Sequence, residues 1–329
     1  MKINNQIAPI ILFVYNRPNH TQKTLKALTK NLLADESRLL IYSDAPSDVS
    51  DKNNVNKIEK VRKLIRSKKW CKEVNIIERE KNYGLAKNIR EGVTEVLNKH
   101  GKAIVLEDDL VVSPGFLEYM NKALNLYEEE EKVMHVSAHI SHTTGREKLP
   151  ETFFLRFMNC KGWGTWKRAW DKAIWDIDYL HREIHKPEHY SGFTLNGQFN
   201  GDIQLQKNLS GEMNTWAVYW AASIFLQGGL CLCPGQSLVQ DIGKDGTGVH
   251  GINKKKKASM SYPIADHIEV KKTEPVESAQ GREYLERFYR YGHKSDLLTR
   301  YAKDSKETIK NNRFTRSMFY FLKRVLKSS

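Results

Sequence analysis

The sequence has 329 residues, of which 40% are hydrophobic, and its formal net charge is +14 with a pI near 9.4. This composition fits a globular protein of one large or two modest domains, and no apolar run approaches the roughly 20 residues of a membrane-spanning helix. The four cysteines form no CxxC pair, so we expect reduced thiols in a cytoplasmic protein. The basic excess predicts an anionic partner.

Residues 8 to 138 alternate between short apolar strands and amphipathic helices. The predicted strands cover residues 8–15, 38–44, 73–79, 103–107 and 132–139, and the predicted helices cover residues 18–34, 53–68, 84–100 and 114–130. Such an alternation predicts an α/β fold in which helices cover both faces of a mostly parallel sheet.

Polar side chains follow three of these strands at the point where each strand ends. They are Asn16 with Arg17, Ser43 with Asp44, and the acidic turn Glu107–Asp109. Ligands of such sheets bind beyond the carboxyl ends of the strands. We therefore expect the three clusters to lie together at one edge of the sheet.

The acidic turn places three carboxylates side by side directly after a buried strand. Oxygen-rich turns suit a hard divalent cation, Mn²⁺ or Mg²⁺, which often shares its ligands with a substrate diphosphate. The alternative is solvated acidity at a helix start, because Ser113 and Pro114 are typical of the first residues of the next helix. The sequence contains neither a P-loop nor a G-x-G-x-x-G motif after the first strand, which disfavours P-loop hydrolases and dinucleotide enzymes.

The alternation stops after residue 138. A tryptophan-rich segment covers residues 159–176, helices are predicted at 202–210 and 214–227, and a Gly-rich loop covers 243–257. A charged helical tail begins near residue 271. We predict three regions: residues 1–138 as a nucleotide-sugar-binding half, 139–270 as an acceptor-binding half of the same domain, and 271–329 as a basic helical tail.

Several motifs then match a known family in order and spacing. The segments "PIILFVYNRP", "LLIYSDAP", "NYGLAKNI", "AIVLEDDLVVSPGFLEYM" and "VSA" resemble the nucleotide-sugar half of the N-acetylglucosaminyltransferase I family. The resemblance covers residues 8–138 and continues more loosely to about residue 250. It implies a GT-A-like, Rossmann-related fold and an inverting, metal-dependent glycosyltransferase, here a bacterial-type member without a membrane anchor.

The resemblance also implies roles for the clustered residues. Arg17 would hold the nucleotide, and Asp44 would read the uracil base. Asp109 would be the direct metal ligand, with Glu107 toward the donor sugar and Asp108 toward the ribose or a water in the metal shell. Alternatives from the residues alone are a surface salt bridge for Arg17 and a turn or helix cap for Asp44.

An inverting transfer also needs a base for the acceptor hydroxyl. The looser part of the resemblance points to Asp202, which otherwise reads as a helix N-cap. Asp176 and Asp178 are competing carboxylates, and Asp241 is the next candidate.

Ligand contacts are also predicted for Trp163, for His250 and for the lysines that follow His250. Trp163 lies between two glycines, which would permit close approach of a sugar, although its spacing to Trp166 and Trp170 is typical of helical core packing. His250 ends the Gly-rich loop and could join the metal or the diphosphate; the alternative is an ordinary loop residue. Lys254 to Lys257 could close over phosphate.

The sequence therefore predicts a glycosyltransferase that uses a nucleotide-sugar donor, expected to be a UDP-sugar, and a polysaccharide or lipid-linked glycan acceptor. The apolar stripe from Phe314 to Val325, flanked by basic residues, predicts contact with an anionic membrane surface; packing on its own domain or on a dimer partner is the alternative. The rival function is a noncatalytic basic protein that binds nucleic acid or membrane. No nucleic-acid module is recognisable, so we expect no nucleic-acid partner.

Overall fold

The structure is a computed structural model that describes residues 6–246 and 262–291. Within these residues the chain forms ten strands and ten α-helices. The strands are β1 (Ile10–Val14), β2 (Arg38–Ser43), β3 (Glu73–Glu78), β4 (Lys102–Glu107), β5 (Leu110–Val112), β6 (Val133–Ser137), β7 (Thr152–Leu155), β8 (Trp163–Trp166), β9 (Leu230–Pro234) and β10 (Val239–Asp241). The helices are α1 (Pro18–Leu28), α2 (Lys52–Arg66), α3 (Gly84–His100), α4 (Phe116–Leu126), α5 (Lys167–Trp170), α6 (Ile177–Ile184), α7 (Pro187–Phe193), α8 (Gly201–Leu209), α9 (Ala217–Leu226) and α10 (Ala279–Tyr291).

Eight of the strands form one sheet in the order β3-β2-β1-β4-β8-β6-β9-β7. Strands β3, β2, β1 and β4 pair in parallel, as do β6 and β9, whereas β8 and β7 run antiparallel to their neighbours. Two apolar cores cover the two faces of the sheet. The predicted α/β class with a mostly parallel sheet is therefore confirmed.

The short strands β5 and β10 form a separate antiparallel ribbon. This ribbon follows the acidic turn, at a position where the sequence predicted only the approach to a helix. Helix α4 consequently starts at Phe116, with Gly115 rather than Ser113 as its N-cap residue. The ribbon matters for the site because it brings residues 239–241 to the acidic turn.

The tryptophan-rich segment differs from the sequence prediction. The spacing of Trp163 and Trp166 is typical of a helix, but both residues lie on strand β8. Side chains alternate between the faces of a strand, so Trp163 packs in one core and Trp166 in the opposite one. Helices α6 to α9 pack around a third, smaller core.

None of the helices within residues 6–246 and 262–291 combines the length and the apolar character that crossing a bilayer requires. The predicted apolar stripe from Phe314 to Val325, with its flanking basic residues, lies outside the described residues.

Strand β6 carries a buried histidine, His135, whose side chain contacts the distal half of the chain. Its ring nitrogen Nε2 lies 3.1 Å from the carbonyl oxygen of Asn159, and its Nδ1 accepts a hydrogen bond from the indole nitrogen of Trp220 at 3.3 Å. The ring of this residue, His135, stacks on Trp163 with centroids 5.4 Å apart. Burial lowers the pKa of His135 to about 3, so the native protein holds the ring neutral.

We expect His135 to make the protein less stable in acid. Its pKa is near 6.5 in the unfolded chain and about 3 in the native protein, so between these values only the unfolded chain is protonated. The free energy of unfolding should therefore fall as the pH decreases from about 6.5, by up to about 1.4 kcal/mol per pH unit. Urea unfolding at pH 7 and pH 5 should show a smaller difference for His135→Gln than for wild type. An equal difference in both proteins would contradict this assignment.

Candidate active site

The acidic turn and Arg17 meet at the carboxyl edge of the sheet. Strand β4 ends at Glu107, and Asp108 and Asp109 form the turn into β5. Arg17 directly precedes α1, where Pro18 at the first helical position fixes the start of the helix. The guanidinium nitrogen Nη2 of Arg17 donates to a carboxylate oxygen of Asp108 and, at 2.9 Å, to Oδ2 of Asp109. The predicted meeting of these two clusters is thus observed.

Negative charge is crowded in this turn. Burial, followed by the charges of Asp109 and Asp108, raises the pKa of Glu107 to about 8. Burial also raises the pKa of Asp108 to about 6, although Arg17 acts in the opposite direction. One arginine therefore does not compensate all the carboxylates, and a further cation at this turn would be stabilised.

The donor set of the turn fits a hard divalent cation, because it consists of carboxylate oxygens. Within the described ranges, no group of three or more His, Cys, Asp or Glu side chains is arranged as a complete metal site. One or two protein carboxylates suffice when a substrate diphosphate and water supply the remaining ligands. His250, predicted to assist, lies outside the described residues.

Strand β10 brings a second polar segment against the turn. Asp241 pairs with Leu110 in the β5–β10 ribbon, and the amide of Ile242 donates to the carbonyl oxygen of Asp109 at 2.9 Å. The next residue, Gly243, packs so closely that a Cβ atom there would lie 2.1 Å from Oδ2 of Asp109. The ammonium of Lys161 lies 2.8 Å from the carboxylate of Asp241.

The close approach at Gly243 leads to a prediction. In Gly243→Ala the new methyl group must displace the Asp109 carboxylate from its contact with Arg17. Overpacking of this kind lowers the stability of the fold by about 1 to 3 kcal/mol. Because it displaces the predicted metal ligand, we expect metal-dependent UDP affinity to fall by about tenfold or more. Calorimetric titration would measure this, with thermal unfolding as the control for fold. Wild-type affinity in Gly243→Ala would show that the position of Asp109 does not matter for binding.

Asp44 lies at the end of β2 and is 5% exposed. Its carboxylate accepts hydrogen bonds from the amides of Ala45, Tyr83 and Gly84, each at 2.9 Å, and a longer one of 3.3 Å from the side chain of Asn82. Asp44 thus holds the loop that enters α3, as the cap alternative predicted. A carboxylate accepts about four hydrogen bonds, so a uracil N–H would have to replace the long bond from Asn82.

Trp163 does not face the site. It is 1% exposed and stacks on Trp216, with ring centroids 5.0 Å apart. A Cβ atom at Gly162 would lie 2.9 Å from Val239, and one at Gly164 would lie 2.9 Å from Met120. The two glycines therefore admit neighbouring core atoms, and this placement favours the packing interpretation over contact with a sugar.

Asp202 lies in the first turn of α8, where the N-cap residue is Asn200. Its Oδ2 accepts a hydrogen bond of 2.8 Å from the hydroxyl of Tyr190. Gln204, on the same helix, lines a cavity of about 310 Å³ next to Lys161. Residues two apart on an α-helix point about 200° apart, so Asp202 points away from this cavity.

Of the competing carboxylates, Asp176 caps α6 by accepting from the amide of Tyr179 at 3.0 Å. Asp178 is exposed in the first turn of the same helix. Only Asp241 adjoins the acidic turn, and its carboxylate is engaged by Lys161.

Sequence reasoning missed three residues of this region: Lys161, Gly243 and Lys244. Lys161 and Lys244 both line the 310 Å³ cavity. The sequence offered one signal for Lys161, its place just before a Gly-Trp-Gly segment, but nothing that paired it with Asp241.

The model of the GNT-I family matches residues 1–190, which is more than half of the chain and includes all of the acidic turn. This chain belongs to the GNT-I family. The resemblance stated from the motifs is therefore confirmed.

Individual relatives are distant. An alpha-1,3-mannosyl-glycoprotein 2-beta-N-acetylglucosaminyltransferase from Arabidopsis thaliana is 24% identical over 200 residues, which cover 55% of this chain and 44% of the plant protein. This chain therefore spans less than half of that relative. Among solved structures, S. aureus TarS is 12% identical with a TM-score of 0.37, covering 72% of this chain and 37% of TarS. The galactosyltransferase LgtC is 9% identical with a TM-score of 0.32, covering 66% of this chain and 70% of LgtC.

Proposed function

We propose that this protein is a glycosyltransferase that transfers a sugar from a nucleotide-sugar donor to a hydroxyl of a glycan acceptor. The observation that carries the proposal is the ion-paired cluster of Arg17, Asp108 and Asp109 beside Glu107 at the carboxyl edge of the sheet, inside the GNT-I match. A polyanion binder has no need of an acidic turn at this place.

The donor is proposed to be a UDP-sugar held along this edge. The loop fixed by Asp44 would receive the nucleoside, and Arg17 would orient the turn toward the phosphates. The name of the plant relative makes UDP-GlcNAc the first donor to test. Which hexose is transferred depends on a few contacts in the donor pocket.

Asp109 is the residue proposed to hold a divalent cation, Mn²⁺ or Mg²⁺, with Glu107 toward the donor sugar. When bound, the cation would neutralise charge that develops on the leaving diphosphate. Arg17 keeps Asp108 and Asp109 in place through its two hydrogen bonds. A carboxylate kept in position by such a partner loses little conformational freedom on ligand binding.

An inverting transfer requires a base on the acceptor side. We propose Asp202 for this role on its chain position, with the Tyr190 hydroxyl orienting its carboxylate. Because Asp202 points away from the cavity lined by Gln204, this role requires the acceptor hydroxyl to approach from the Tyr190 side of α8. The acceptor is proposed to be a surface polysaccharide or a glycolipid precursor, the latter approached through the basic tail on an anionic membrane.

The experiment that tests the proposal is calorimetric titration of the purified protein with UDP, GDP and CMP, each with Mn²⁺ and with a chelator. We expect UDP to bind and its affinity to depend on Mn²⁺. Binding of RNA or anionic liposomes without any nucleotide binding would favour the noncatalytic alternative.

A further inference from the structure

Two lysines of the site region face a single carboxylate. The ammonium of Lys161 lies 2.8 Å from Asp241, and the side chains of this pair are 29% and 13% exposed. Lys244 follows three residues after Asp241 and lines the same 310 Å³ cavity as Lys161. Within the described part of the chain, Lys244 has no ion-pair partner within 4.0 Å. The two lysines of this corner therefore share the carboxylate of Asp241.

The strand register places Lys161 beside the acidic turn. Strands β4 and β8 pair antiparallel, with Val105 opposite Trp163. Lys161 lies two residues before Trp163, where β8 begins, and its ion pair with Asp241 ties it to the residue that pairs with Leu110 directly after the acidic turn. Because β8 and β1 lie on opposite sides of β4, Lys161 approaches the turn from the side opposite to Arg17, which follows β1.

Lys244 also lies next to the acidic turn, on the segment that follows β10. It directly follows Gly243, whose backbone packs against the carboxylate of Asp109. The two lysines come from segments far apart in the sequence, yet both adjoin the acidic turn. Asp241 also accepts a hydrogen bond from the amide of Gly243 at 2.9 Å, so the segment that carries Lys244 is tied to the Lys161 ion pair.

We infer that Lys161 and Lys244 bind the terminal phosphate of the nucleoside diphosphate, with Asp241 as the residue that positions Lys161. This inference rests on the proposed function and adds residues to it that neither the motifs nor the family match named. An ammonium is a compact point charge that suits a phosphate oxygen. In a transfer reaction the same contacts would stabilise the charge of the departing diphosphate.

A merely structural role of Lys161 would not distinguish UDP from UMP. UDP carries the terminal phosphate and UMP does not. In Lys161→Met we expect the affinity for UDP, measured by calorimetry with Mn²⁺, to fall by about 10- to 100-fold, the scale for hydrogen bonds to charged groups. The affinity for UMP should change by less than about threefold.

Lys244→Met serves as the second variant, because this exposed residue can be replaced without disturbing the core. We expect it to lower the affinity for UDP but not for UMP, by a smaller factor than Lys161→Met. Lys132→Met, an exposed lysine remote from the site, is the matched control and should bind both nucleotides as wild type does. Unchanged UDP affinity in both site variants, or equal losses for UDP and UMP, would overturn the inference alone. A wild type that binds neither nucleotide would overturn the proposed function, and this inference with it.

Discussion

Replacing Asp109 with alanine is expected to abolish the metal-dependent binding of UDP while leaving the fold intact. Asp109 lies in the turn between β4 and β5. Its side chain contacts Arg17 and Gly243 and is not part of an apolar core. Losing even an outer-shell partner of a metal ligand costs about 10- to 100-fold in affinity. For a direct ligand we expect a loss of at least about 100-fold in calorimetric titration with Mn²⁺.

Glu129→Ala is the matched control, since Glu129 is an exposed acid three residues beyond the C-terminal end of α4. Thermal unfolding of Glu129→Ala should stay close to wild type, because surface substitutions usually change stability by less than about 0.5 kcal/mol. Asp109→Ala should still unfold cooperatively, because Arg17 keeps its ion pair with Asp108. An Asp109→Ala protein that binds UDP and Mn²⁺ like wild type would remove Asp109 from the metal site.

Asp202→Asn is expected to lower kcat by about 10²-fold or more, the usual scale for losing a general base. Asparagine keeps the size of the side chain and can still accept from the Tyr190 hydroxyl, but it cannot take up a proton. UDP affinity should be unchanged, because Asp202 lies away from the carboxyl edge of the sheet, where the donor is proposed to bind. Steady-state kinetics at saturating donor and acceptor would measure the effect.

The corresponding Asn variants of Asp176, Asp178 and Asp241 provide the comparison. Near-normal kcat in Asp202→Asn, together with a large loss in one of these, would transfer the role of base to that residue. Asp241→Asn should act differently from a base variant, because it loosens the ion pair with Lys161 and so should also weaken UDP binding.

The cluster at the carboxyl edge of the sheet could be predicted from the sequence because its residues follow a local rule. Arg17, Asp44 and the acidic turn each follow a buried parallel strand, and the carboxyl ends of parallel strands meet at one edge. The observed contacts of Arg17 with Asp108 and Asp109 follow from that rule.

The other side of the site could not be predicted, since it depends on pairings between distant segments. Asp241 reaches the turn only because β10 pairs with β5, and Lys161 only because β8 inserts antiparallel between β4 and β6. The local pattern of apolar and polar residues does not indicate either pairing. The position of Trp163 on a strand could not be predicted either, because a three-residue spacing of tryptophans fits both a helix and a strand until the partner strands are known.

The most direct test of the whole account is nucleotide release from a panel of UDP-, GDP- and CMP-sugars, measured with Mn²⁺ and with a chelator. We predict that the purified protein releases UDP from at least one UDP-sugar, UDP-GlcNAc first, only when the divalent cation is present, and that Asp109→Ala releases none. Failure to bind or consume any sugar nucleotide with any divalent cation would contradict the account.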